Sequence, residues 1–122
     1  MNDLEILRQI EKQLNLSFVN TDINANAQYS TDTNGNVVRL SIQNITVTDL
    51  TLVGKLENLI ALALVNTQLK EIKPLSNLKN IILLDLDNNL IKDISPIKTL
   101  FKNDVIVFDA KNNPLKYPQK KL

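Results

Sequence analysis

The amino-acid sequence predicts an α/β solenoid. About four short parallel strands stack side by side, a helix and a hairpin cap the first end, and short 3₁₀ or irregular turns form the convex, returning side. Two observations carry this reading. Segments beginning at Val37, Leu59, Ile81 and Val105 align as four copies whose starts lie 22, 22 and 24 residues apart, and a period in that range marks a stacked repeat. The composition is 43% hydrophobic but only 4% aromatic, so the interior has to be filled by leucine, isoleucine and valine.

The copies read "VVRLSIQNITVTDLTLVGKLEN", "LIALALVNTQLKEIKPLSNLKN", "IILLDLDNNLIKDISPIKTLFKND" and a truncated "VIVFDAKNNPLKYP". Positions 1, 4, 6 and 11 of each are apolar: Val37, Leu40, Ile42, Val47; Leu59, Leu62, Leu64, Leu69; Ile81, Leu84, Leu86, Ile91; Val105, Phe108, Ala110, Leu115. The three full copies add apolar residues at positions 14, 17 and 20, ending at Leu56, Leu78 and Leu100. Positions 4 and 6 alternate with outward positions 3, 5 and 7, so each copy supplies a short strand with one buried face. In the return path Pro74 and Pro96 remove a hydrogen-bond donor and fix φ, which argues against a long α-helix and for short 3₁₀ turns. Position 9 is expected to hold an asparagine whose buried amide pairs with loop backbone groups of neighbouring copies. Asn89 and Asn113 fit, Thr67 substitutes in part and Ile45 not at all, so this ladder weakens toward the N-terminus.

Residues 1–36 are expected to cover the first open end, residues 37–104 to form three full repeats, and residues 105–122 to form a truncated repeat and C-terminal cap, all within one domain. Asn2 followed by Glu5 resembles a capping box, and Ile6, Leu7, Ile10 and Leu14 recur at helical spacing, predicting a helix over residues 3–14. Asn34-Gly35 between two strand-like runs predicts a hairpin leading into the first repeat strand. Residues 15–27 read as a loop with a short strand near Phe18. At the far end, "VIVF" would leave an open sheet edge. Either Leu115 and Tyr117 pack over it as a cap, the preferred reading, or another chain completes the sheet.

The match to L-x-x-L-x-L-x-x-N-x-L resembles leucine-rich repeats. The helix "DLEILRQIEKQLNLSF", the hairpin "YSTDTNGNVVRL", the "DISPI" turn and the terminal "NNPLKYP" together resemble bacterial leucine-rich-repeat proteins. They are similar to the N-terminal repeat region of bacterial Roco-type proteins, and the turns are also similar to internalin-like short repeats. The Roco resemblance implies repeats preceding a Ras-like GTPase. No phosphate-binding glycine loop is present, because Gly35 and Gly54 are the only glycines and neither begins such a motif. Any nucleotide chemistry would therefore sit on a neighbouring chain or domain.

Composition narrows the function classes further. The chain has no cysteine and no histidine, which removes disulfides, thiolate zinc sites and the commonest general base. A net charge of +1 gives no general attraction to nucleic acid or to anionic membranes. The opening "MNDLEILRQIEKQLN" carries charges where a secretion signal needs an apolar run, and no segment approaches a membrane span, so a cytoplasmic protein is expected. No cofactor and no metal are expected.

The candidate site is the concave sheet face. Positions 5 and 7 of the last two copies bring Asp85, Asp87 and Asp109 together, a cluster that could serve as paired acid and base or hold a hard cation. The plainer reading is a solvated polar face, and it is favoured because no second catalytic residue type accompanies the acids and Lys111 lies beside them. Ala61, Ala63, Val65, Leu83 and Val107 face the same way and predict an exposed apolar patch of the kind that marks an interface. Position 2, occupied by Val38, Ile60, Ile82 and Ile106, either joins that patch or tucks under the adjacent loop. The sequence thus predicts a non-catalytic interaction module binding a partner protein through Arg39, Ala61, Ala63, Val65, Leu83, Asp85, Asp87, Val107, Asp109 and Lys111. The alternative is a homo-oligomer whose self-association regulates a Roco-type GTPase.

Overall fold

A computed structural model describes residues 1–20, 25–102 and 107–116. The chain forms helix α1 (Asp3–Leu14) and strands β1 (Val19–Asn20), β2 (Ala27–Thr31), β3 (Val37–Gln43), β4 (Ala61–Val65), β5 (Leu83–Asp85) and β6 (Val107–Asp109), joined into one six-stranded sheet in sequence order. Strands β3 to β6 run parallel with Leu40, Leu62, Leu84 and Phe108 in one row. The predicted stack is therefore present, and the cap lengthens it: β2 pairs antiparallel with β3, and β1 parallel with β2. The expected start of the fourth copy at Val105 and Ile106, with Asp104, Tyr117 and the basic tail, lies outside the described residues.

The core follows from the repeat pattern. All seven apolar positions of the three full copies are buried, and together with Ile6, Leu7, Ile10 and Phe18 they form one contiguous cluster. Full burial of one such aliphatic side chain contributes about 1.5–3 kcal/mol relative to exposure. The convex side consists of 3₁₀ turns at Val53–Lys55, Lys73–Asn77 and Ser95–Lys102. Pro74 and Pro96 each sit second in their turn, where the missing N–H costs nothing. Asp49 and Asp93 prepare two of these turns, accepting bonds from the backbone N–H and hydroxyl of Thr51 and Ser95 respectively.

The N-terminal cap is held by specific polar contacts. Asn2 caps α1 by accepting from the Glu5 N–H at 2.9 Å, and Asn15 closes the helix in the left-handed conformation. Asp3 reaches across to accept the Val37 N–H at 2.8 Å, tying the helix to the first repeat strand. Glu11 accepts the Phe18 N–H at 2.7 Å while paired with Arg8. The β2–β3 turn is wider than the Asn34-Gly35 dipeptide alone. Asp32 organises it, its carboxylate accepting the N–H groups of Asn34 and Asn36, and Gly35 supplies the required positive φ of 82°. At the other end Phe101 packs edge-on against Phe108 with ring centroids 4.8 Å apart, and Leu115 lies against the core. Among the described residues no helix is long and apolar enough to cross a membrane.

The loops that follow the strands carry two asparagine columns. At position 9, Asn89 is buried; its Oδ1 accepts the Thr67 N–H, the Thr67 hydroxyl and the Leu69 N–H, while its Nδ2 donates to the carbonyls of Leu64, Leu86 and Asp87. Asn113 repeats the arrangement one copy on, accepting the Ile91 N–H and donating to Leu86, Ala110 and Lys111. Thr67 is buried but gives its hydroxyl to Asn89, and its backbone carbonyl takes the Val47 N–H at 2.9 Å. Where Ile45 replaces the amide, it packs partly buried against the core. The second column is position 8, where Asn44, Asn66, Asn88 and Asn112 all adopt positive φ, a region that asparagine tolerates better than other non-glycine residues. Their side chains link neighbours, Asn66 donating to Asn44 and Asn112 to Asn88, both at 2.9 Å.

Two stability outcomes follow. Truncating Asn89 to Ala strands several buried backbone groups at once, so a loss of about 3 kcal/mol or more is expected in denaturant unfolding, with Asn113→Ala, at a half-buried position, costing less. A Cβ placed on Gly54 would lie 2.6 Å from the Pro74 carbonyl oxygen of the next turn. Gly54→Ala is therefore expected to destabilise by about 1–3 kcal/mol, read as a lowered midpoint in thermal melting.

Candidate functional site on the open face of the sheet

The side chains that do not enter the core share one face of the sheet, because successive residues of a strand point to opposite sides. The strand register arranges them in rows. One row runs Ser30, Arg39, Ala61, Leu83, Val107, and the next runs Gln28, Ser41, Ala63, Asp85, Asp109. Gln43 and Val65 begin a third, and the Asn66 N–H meets the Asp87 carbonyl at 3.1 Å to carry it onward. The ten residues singled out in the sequence thus stand together. Arg39 and Lys111 are exposed, Ala61, Ala63, Val65, Asp85, Asp87 and Asp109 are half-buried, and Leu83 and Val107 are 38% and 49% exposed. At the strand entrances Ile60 and Ile82 are each 41% exposed and Val38 is half-buried, so these two isoleucines are not tucked fully under the adjacent loops.

The small residues on β4 have a geometric effect. Ala61 and Ala63 lie between larger side chains on β3 and β5, and a hollow of about 450 Å³ opens above them, bordered by Arg39, Ser41 and Leu83 and reaching Gln28 and Ser30 on β2. The sequence reading missed the contribution of β2. The usable signal was the alternation in "AQYST", which places Gln28 and Ser30 on the same side as Ser41 and Arg39 once the hairpin closes.

The acidic end is crowded. Lys111 Nζ lies 3.3 Å from Asp109, and the Lys111 backbone N–H donates to Asp87 at 2.7 Å and to Asp109 at 3.2 Å. Asp85 accepts the Asp87 N–H at 3.1 Å. Burial raises the Asp87 pKa, and a hydrogen bond shared with Asp109, together with repulsion from Asp85 and Asp109, pushes it the same way against the Lys111 N–H. For Asp109 burial also pushes upward, but the shared bond with Asp87 and the contacts from Lys111 outweigh it and leave the pKa lowered. Among the described residues no group of three or more His, Cys, Asp or Glu side chains is arranged to hold a metal ion.

No family model matches the sequence, and no curated protein matches it. Solved structures do match. Internalin C2 from Listeria monocytogenes superposes with a TM-score of 0.57 at 31% sequence identity, over 80% of this chain and 43% of that one. The LRR ectodomain of the receptor kinase SOBIR1 from Arabidopsis thaliana superposes with a TM-score of 0.52 at 20% identity, over 93% of this chain and 94% of that one. This chain has the leucine-rich-repeat fold. Its repeats carry the internalin likeness over most of their length, and the chain spans under half the length of the internalin C2 chain. The SOBIR1 likeness bears on the fold alone. Neither neighbour is a Roco-type protein, so that part of the resemblance stands on the sequence. One neighbour is by description an ectodomain, so the leucine-rich-repeat fold is not tied to the cytoplasm.

The acid cluster of this repeat protein yields a titration outcome. Following the carboxyl carbons by NMR, Asp87 is expected to titrate above the ordinary aspartate range and Asp109 below it. Because its folded pKa is raised, the Asp87 contribution to stability is present at acid pH and is lost as the pH rises through that pKa. Asp109→Asn should lower the Asp87 pKa part of the way, leaving the rise that burial causes.

Proposed function

We propose that this chain is a non-catalytic protein-interaction module that docks a partner protein or domain on the open sheet face. Arg39, Ala61, Ala63, Val65, Leu83, Asp85, Asp87, Val107, Asp109 and Lys111 make the contact. The observation that carries the reading is the row Ala61, Leu83, Val107, in which Leu83 and Val107 are exposed aliphatic side chains on adjacent strands, with exposed Ile60 and Ile82 at the strand entrances. Contiguous exposed apolar surface of this kind marks interaction sites, and it is rimmed by charges that orient a partner. Binding is favoured over catalysis because the acidic residues have no histidine or cysteine to work with anywhere in the chain.

A photoreactive amino acid placed at Ala63 on the open face, compared with one at Lys79 on the convex side, tests this in lysate of the native host. Adducts formed from position 63 and not from 79 support the face, and the reverse pattern rejects it. An adduct of twice the chain mass from position 63 would identify a second copy of this chain as the occupant.

A further inference from the structure

The hollow over β4 and the acidic end of β5 and β6 belong to one continuous face, and their chemistries differ along the strand direction. Leu83 precedes Asp85 by two residues and Asp87 by four, so the apolar and acidic ends lie about 7 to 13 Å apart at the rise of a β-strand. We infer that this face takes a short protein segment in which a bulky apolar side chain and a lysine or arginine stand close together. The apolar group seats over Ala61 and Ala63 beside Leu83, and the basic group reaches the carboxylates of Asp85, Asp87 and Asp109. The inference rests on the docking reading above and specifies the chemistry of the partner.

Three observations favour that occupant. The first is size. Strands β2 to β6 at ~4.8 Å spacing and five residues at ~3.3 Å present a face of about 400 Å². A standard interface between globular proteins takes about 800 Å² from each side. A segment fits the available area, whereas a globular surface needs more. The second is shape: the alanines sink the middle of the face between Arg39 and Leu83, leaving a recess with the dimensions of side chains. The third is charge. Asp85 and Asp109 are direct neighbours on adjacent strands, an arrangement in which like charges oppose folding. Lys111 pairs with Asp109, so among the described residues the three carboxylates outnumber the one ammonium paired with them, and a partner cation would complete the balance. An acidic segment would meet the same carboxylates unfavourably, with Arg39 at the opposite end of the recess as its one attraction.

The test is selection of random short displayed peptides on the immobilised full chain. Enriched peptides are expected to hold leucine, isoleucine or phenylalanine within a few residues of lysine or arginine. Their affinity should fall about tenfold on the D85N/D87N/D109N variant and fall with added NaCl. Asparagine keeps the acceptor oxygens that the Asp87 and Lys111 backbone N–H groups use, and the melting temperature reports whether the variant folds. If it does not, the salt titration on the unaltered chain decides alone. Enrichment of acidic peptides, no enrichment, or affinity indifferent to charge removal and to salt overturns the inference. Should that happen while position 63 still crosslinks a partner, the docking face stands and only the partner chemistry falls; if both fail, the face itself is rejected.

Discussion

A buried amide decides how this molecule is put together. Parallel strands end in loops that turn inward beneath the next copy, where backbone N–H and C=O groups cannot reach water and each unpaired group costs about 1–3 kcal/mol. Asn89 resolves that problem for two adjacent copies at once, accepting from the second copy and donating to the second and third. Because its two faces reach neighbours a whole repeat apart, it holds adjacent copies in one register. Leu62 then falls beside Leu84, and every aliphatic position of both copies meets its counterpart in the interior. Asn113 extends the same device toward the C-terminus.

Where that amide is missing, the structure shows what replaces it. The Val47 N–H, which in the next two copies is served by an asparagine side chain, is served by the Thr67 backbone carbonyl. The junction with the cap is reinforced from the other side by Asp3 on the Val37 N–H and by the antiparallel pairing of β2. The hairpin is thus part of the sheet itself and widens the open face by the residues of β2, while the helix is tied to the sheet through Asp3. Since the stack is held from within and through its loops, the outward side chains are released from packing duties. That freedom permits exposed aliphatics at Leu83 and Val107 and adjacent acids at Asp85 and Asp109, neither of which the fold requires.

Much of this was legible in the sequence because it depends on local chemistry or strict periodicity. Asn2 and Glu5 with apolar residues at helical spacing place α1 at residues 3–14, where the helix is found. Pro74 and Pro96 place two of the three 3₁₀ turns among the described residues, and the repeat columns place the core. Asn89 and Asn113 stand out because they occupy position 9 of the repeat, where a buried amide is expected to pair loop backbone groups. The position 8 asparagines were missed, although they recur in all four copies, because a left-handed backbone residue announces itself only through asparagine or glycine preference and asparagine is common throughout this chain. The tight approach of Gly54 to Pro74 involves residues twenty apart in sequence and had no local signal at all.

By itself, then, the sequence determined the class of fold, the identity of nearly every core residue, and the set of side chains that face outward, because period and alternation are properties of a linear chain. Tertiary structure alone decided which outward residues become neighbours. It closed the hairpin so that Gln28 and Ser30 join the face, left Ile60 and Ile82 open to solvent, sank a hollow over Ala61 and Ala63, and brought Asp87 and Asp109 together on the Lys111 N–H. The physical reason is that hydrophobic burial and backbone pairing act through patterns any single copy displays, whereas the shape and charge of a surface arise only from the juxtaposition of different copies.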